Sequence, residues 1–246
     1  LERILDRIMA DNPIATVPQG LFHFEIRTYP EIALREALLN ALVHTDFRIP
    51  GPILIKQFKD RLEISNPGGL PGGITPDNIL RHEPVPRNPA LVDALTRLRL
   101  VNRSNLGVRR MYQALLMEGK EPPQILDEGN AVRVIFRASQ LSVPFRMFVA
   151  EESDQGRLLS LDQLLIIQHL LRHPEIDTAT AARITQQGEP EAREVLNRME
   201  TALGYLERGG TGRGTYWILR HDLHSRLSAS GHPERDQRID WEAAKT

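Results

Sequence analysis

Glu36, Asn40 and His44 stand four residues apart in the segment TYPEIALREALLNALVHTDF. An α-helix turns once in about 3.6 residues, so the three side chains drift slowly along one face. A carboxylate, an amide and an imidazole in such a row can hold a metal–phosphate complex. Two glycine-bearing loops follow, NPGGLPGG at 66–73 and SNLGVRR at 104–110. Together they point to a nucleotide site built without the GxxxxGK[ST] loop, which the chain lacks. Each feature alone has a plainer reading. The triplet would be a solvated helix face, NPGGLPGG a turn, and Arg109–Arg110 surface charge.

These residues need elements to hold them. Pro30 suits the first turn of the helix that carries the triplet, and Ile32, Leu34, Leu38 and Leu42 on its other side are expected in a core. Before it come a short apolar helix, LERILDRIM, a loop and a strand in GLFHFEIRTY. After it, GPILIKQF and RLEIS read as a hairpin turning at Lys59–Asp60, and QILDEGNAVRVIFRA as another. TPDNIL reads as a short helix, and ALVDALTRLRLV and VRRMYQALLME as two longer ones. Helices segregated from hairpin-connected strands give an α+β two-layer sandwich over residues 1–150. A boundary is expected within 138–157, where SQLSVPFRMFV gives way to the acidic, flexible EESDQG.

From 158 to 220 the pattern is three helices and a glycine-tipped hairpin. Ser160 and Gln163 form a capping-box signature for the first helix. DTATAARITQQG is a short helix ending at Gly188, and Pro190 starts the third. This order resembles a winged helix-turn-helix domain, whose third helix would enter the major groove of DNA. Arg193, Asn197 and Arg198 face outward there and are the candidates for reading bases. Arg208 and Arg213 flank the tip GGTGRG, where Thr211 could meet phosphate. Tyr205, Tyr216 and Trp217 read as hairpin core. Residues 221–246 lack a sustained apolar period and read as a frayed or disordered tail.

Composition narrows the classes. The chain has 246 residues, is 41% hydrophobic and 26% charged, and carries a net charge of −1. Bulk charge therefore gives no argument for nucleic acid. Residues 157–220 hold eight basic and eight acidic residues, which opposes strong non-specific DNA binding and keeps a protein-docking role open for the winged helix. There are no cysteines, which excludes disulfides and fits a reducing, cytoplasmic setting. No apolar run reaches the ~18 residues of a membrane span. The first residue is Leu1, and a missing N-terminal part is expected.

ExxxNxxxH, then a strand ending in NPGG, then a second glycine loop before a helix resembles the GHKL ATP-binding fold of gyrase, histidine kinases and MutL. More closely, EALLNALVHTDF, RLEISNPGGLPGGI, PRNPALVDAL and LGVRRM are similar to the C-terminal domain of RecG-like, Alba/Schlafen-type bacterial and archaeal transcriptional regulators. That resemblance spans 20–137 and implies an Alba/Schlafen-like domain ahead of this one. It implies ATP and Mg²⁺ as ligands, with Glu36 as the general base that activates water and Asn40 on Mg²⁺. His44 would touch phosphate or lid. Gly68, Gly69, Gly72 and Gly73 would let the backbone approach the nucleotide, and Gly107 and Arg109 would meet phosphate. Two departures weaken the implied binding, and hydrolysis more. Asn66 stands where the fold's adenine-reading aspartate belongs, and Asn105 where a loop glycine belongs.

Three functions follow. The first is a transcriptional regulator, a homodimer on a pseudo-palindrome, whose GHKL-like and degenerate nucleotide domain modulates DNA binding. The second is a weak ATPase component of a helicase-related, DNA-processing protein. The third is a non-catalytic dimerisation scaffold.

Overall fold

The chain divides into two compact units, 1–116 with 120–141 and 117–119 with 142–246. The computed structural model describes residues 1–19, 22–100, 106–138 and 142–228.

In the first unit, α1 (Glu2–Ala10) precedes a hairpin of β1 (Ile14–Gln19) and β2 (Phe22–Arg27), in register from Ile14 opposite Arg27 to Gln19 opposite Phe22. The sequence reading expects only the second of these strands. The β-branched IATV starts the first, although Pro13 and Pro18 disguise it. Buried Lys120 donates to the Arg27 carbonyl at the hairpin's end.

α2 (Glu31–His44) starts one residue later than expected, with Pro30 as its cap and the Leu34 N–H donating to the Pro30 carbonyl at 3.1 Å. It is buried on most sides: Ala33, Leu34, Ala37, Leu38, Leu39, Ala41 and Val43 are all in the core. Burying Leu34 and Leu38 stabilises by ~1.5–3 kcal/mol each. Ile32, expected beside them, is instead 58% exposed, because helical rotation puts it across α2 from the buried Leu34.

β3 (Leu54–Gln57) and β4 (Arg61–Pro67) form the next hairpin, closed by the Phe58 N–H on the Arg61 carbonyl at 2.8 Å. α3 (Pro89–Arg97) starts at a proline, and α4 (Gly107–Met117) at a glycine. β5 (Gln124–Asp127) and β6 (Ala131–Arg137) complete an antiparallel sheet of order β3-β4-β6-β5. Leu62, Ile64, Val132 and Phe136 of the sheet meet Leu34 and Leu38 of α2 and Met111 and Leu115 of α4 in one core. The expected helix at TPDNIL is a run of turns. Asn78 Oδ1 accepts from the Thr75 N–H at 2.8 Å and its Nδ2 donates to the Gly73 carbonyl at 3.0 Å, which ties these turns back to the glycine-rich loop.

In the second unit the expected flexible stretch is a helix, α5 (Val143–Asp154). Ser142 caps it, and Phe145, Phe148, Val149 and Glu152 are buried. Of the acidic run only Glu152 is buried: Arg157 pairs with both its oxygens, the Tyr205 hydroxyl donates to it, and this bonding keeps its carboxyl below the usual range. α6 (Leu161–Leu170) carries the expected capping box, with the Ser160 N–H on Gln163 Oε1 at 2.8 Å.

β7 (Ile176–Asp177) leads into α7 (Thr178–Thr185), capped by Asp177. α7 ends at Gln186 in the left-handed region (φ +55°), and Gly188 caps the start of α8 (Glu189–Thr201) rather than ending α7. β8 (Leu206–Gly209) and β9 (Tyr216–Leu219) flank a 3-10 turn at Gly212–Gly214, in a sheet of order β7-β9-β8. The expected frayed tail begins as a helix, α9 (His221–Ser228), which buries Leu223, His224 and Leu227. Residues 229–246 lie outside the described residues. Among the described residues, no helix is long and apolar enough to cross a membrane.

One acid sensitivity arises here. His169 stacks on His173 with centroids 4.3 Å apart. Burial, then the charges of His173 and Arg183 against that of Asp177, push its pKa down to about 4. The unfolded chain would protonate first, so His169 contributes stability above its ordinary pKa and loses it as pH falls from about 6.5 towards 4. Discounted for its partial exposure, the loss between pH 7 and 5 is about 1 kcal/mol. His169→Gln should reduce the fall by that amount in urea titrations at the two pH values; an unchanged fall would refute the assignment.

Candidate functional site

α2 delivers Glu36, Asn40 and His44 to a single cavity of about 450 Å³ in the first unit. Its other walls come from β4, the 66–74 loop, the segment before α3 and the first turn of α4. That size suits a small ligand. Ile74, Ile79, Val85, Ile125, Val132 and Val134 give it an apolar part, and Arg35, Arg99 and Arg110 line it beside Glu36 and Asp93.

The polar row is not a solvated face. Glu36 is only 8% exposed. Its Oε1 lies 3.7 Å from Arg35 Nη1 and 3.6 Å from Arg110 Nη1. Asn40 Nδ2 and His44 Nδ1 are buried atoms without a hydrogen-bond partner. Such atoms cost ~1–3 kcal/mol each when left unsatisfied, which marks a place where a ligand would be stabilising. Burial, reinforced by the Arg87 charge, lowers the His44 pKa and favours a neutral ring. Gly107 opens α4 directly against the row. A Cβ there would lie 3.0 Å from Glu36 Oε2 and 3.4 Å from Asn40 Nδ2.

The glycine-rich loop serves its own packing as much as any ligand. Gly68 has φ +93°, and a Cβ on it would lie 2.8 Å from Asp46 Cβ. A Cβ on Gly69 would lie 2.6 Å from the Gly129 carbonyl oxygen. Asn66 is buried, lines the cavity and donates from Nδ2 to the Pro67 carbonyl at 3.1 Å. Of the four expected glycines, Gly69 lines the cavity, while Gly68, Gly72 and Gly73 shape the loop behind it.

Two residues that sequence reasoning missed hold this loop and the end of α2. Arg87 donates to Asp46 at 3.1 Å and to the Gly69 carbonyl, and Asn88 Nδ2 donates to the Val43 and Thr45 carbonyls at 2.9 and 2.8 Å. Asp46, bonded also by Arg48, has its carboxyl held well below the usual range. The signal was the Pro-punctuated PRNP, where polar residues interrupt an otherwise irregular stretch.

Arg109, expected in the site, donates instead to the Leu80 carbonyl at 3.4 Å; its neighbour Arg110 lines the cavity. Helical geometry turns successive side chains by about 100°, so only one of the pair can face inward. Asn105 lies outside the described residues, as does the start of the 104–110 loop. No group of three or more His, Asp or Glu able to hold a metal exists among the described residues. The Asn40 amide beside Glu36 still suits Mg²⁺, which takes few protein groups when phosphates and waters supply the rest.

In the second unit, Arg193 and Arg198 are exposed on α8. Asn197 is not free: its Oδ1 accepts from Arg208 Nη2 at 3.0 Å. Arg208 is held by Glu200 Oε2 at 2.9 Å and lies 5.6 Å over the Trp217 ring. Thr211 is exposed at the tip, and the Arg213 side chain lies outside the described part of the structure.

Residues 51–136 match the family described as "Putative ATP-dependent DNA helicase recG C-terminal". The match is consistent with a RecG-like C-terminal domain of GHKL type over this segment. A solved structure, the DIP2311 protein of Corynebacterium diphtheriae, superposes with a TM-score of 0.80 at 28% identity over 94% of this chain. The chain spans 47% of that protein's length. No curated protein matches.

Proposed function

We propose that the first unit binds an adenine nucleotide with Mg²⁺, and that the chain is a transcriptional regulator whose DNA contact the nucleotide modulates. The observation that carries the nucleotide reading is the cavity with the buried, unpartnered Asn40 Nδ2 and His44 Nδ1. Asn40 would hold Mg²⁺ through its amide oxygen, beside phosphates at the start of α4. The metal would offset phosphate charge there. The apolar walls suit a base. Calorimetry with ATP, ADP and Mg²⁺ should give binding heat, and Asn40→Ala should weaken binding about tenfold or more. No heat and no thermal shift with the wild-type chain would sink this reading.

The DNA reading is supported by the second unit's order of helix, strand, two helices and hairpin, which resembles that of a winged helix. Exposed Arg193 and Arg198 supply the outward face, and a homodimer would engage two half-sites. With Asn197 and Arg208 engaged to each other, these two arginines are the better base readers. A slow ATPase in DNA processing is the second reading, supported by the family match and by Glu36 at the cavity. Turnover abolished by Glu36→Ala would favour it.

A further inference from the structure

Resting on the nucleotide reading, we infer that Arg110 is a ligand-reading switch: it exchanges the Glu36 carboxylate for the ligand's phosphate, and Glu36 acts as the built-in competitor. The argument starts from a pairing that is close but unfinished. Glu36 Oε1 faces two guanidinium groups at 3.6 and 3.7 Å, both beyond hydrogen-bond length. Arg35 is tethered, its Nη2 donating to the Leu100 carbonyl at 2.9 Å. Arg110 has no such tether. Among the described residues its guanidinium makes no hydrogen bond, and its side chain is 40% exposed in the cavity wall.

A guanidinium so placed gains most from a phosphate, which offers two parallel acceptors at full bonding distance. The buried carboxylate already stands where that phosphate would come. Glu36 Oε2 lies against Gly107, at the positive end of α4. An entering phosphate must therefore take Arg110 from Glu36, and Arg35 stays behind to balance the carboxylate.

A double-mutant cycle on the full chain tests this, with the dissociation constant for ATP–Mg²⁺ read by calorimetry. Arg110→Ala should weaken binding about tenfold or more, the scale of one charge-assisted hydrogen bond. Glu36→Gln, which keeps the shape and removes the competing charge, should tighten it several-fold. In the double variant the gain from Glu36→Gln should vanish, since the residue it frees is gone. Thermal melts of Arg110→Ala and Arg110→Gln check that both fold. If ATP binds the wild type but Glu36→Gln weakens binding, or its gain persists without Arg110, the switch is wrong and the nucleotide reading stands. If neither wild type nor Glu36→Gln binds ATP, the nucleotide reading fails and the switch falls with it.

Discussion

Gly68→Ala is expected to lower stability by about 2–4 kcal/mol, through two costs at one atom. Gly68 sits at φ +93°, where an L side chain is strained. The added Cβ would also lie 2.8 Å from Asp46 Cβ and 3.2 Å from Arg87 Cζ. Asp46 cannot retreat cheaply, because its carboxylate is bonded by Arg48 at 2.7 Å and Arg87 at 3.1 Å and its N–H donates to the Pro67 carbonyl at 2.8 Å. Movement of the loop would displace Gly69 and Leu70 from the cavity wall, so nucleotide binding should fall with stability. Gly73→Ala is the control. Its φ is +80°, but the nearest atom to the new Cβ is His82 Nε2 at 3.9 Å, leaving backbone strain of about 1 kcal/mol. Urea midpoints at unchanged slope measure both. Equal losses would refute the packing cost at Gly68.

Trp217→Ala should cost the second unit about 3–5 kcal/mol. The ring is 1% exposed in β9, the central strand, opposite Ile176 on one side and Arg208 on the other. Its Nε1 donates to Glu200 Oε2 at 3.0 Å, and the same oxygen holds Arg208. Truncation opens a cavity and removes one of the contacts that tie α8 to the hairpin, so Arg208 and Asn197 should lose part of their fixed geometry as well. Hydrogen exchange should show faster opening across α6 to β9, with the loss of stability read from the most protected amides. A loss below about 1 kcal/mol would contradict the packing described.

Much of this was legible because local chemistry and tertiary demand agreed. The capping box at Ser160 and Gln163, the hairpins with polar turns, and Pro89 at the start of α3 each declare an element within a few residues. The row Glu36, Asn40, His44 was legible as a row, since helical spacing depends on nothing outside the helix. What hid was set by long-range packing. Ile32 looks like its apolar neighbours and is exposed, because the elements packed on α2 cover most of its circumference but not all of it. EESDQG looks flexible and is part of α5, because Arg157 and Tyr205 complement Glu152 from elsewhere in the chain. Which of Arg109 and Arg110 faces the cavity depends on the rotation of α4, which Gly107 and Met111 fix by packing. Arg87 and Asn88 bond to backbone carbonyls that no motif advertises.

The pairing of β4 with β6 bears on how the first unit forms as the chain emerges. Arg61 pairs with Arg137, and Pro67 with Ala131, so the central strands of the sheet come from distant parts of the sequence. Closing so long a loop is entropically costly before any contact repays it. During synthesis, Leu62 and Ile64 must wait unpaired on the β6 side until residues 131–137 have left the ribosome, while α5 to α9 assemble later from near neighbours. The nascent first unit is thus the stage most exposed to mispairing, and chain truncated before Ala131 should be captured by chaperones where chain extended past Arg137 is not.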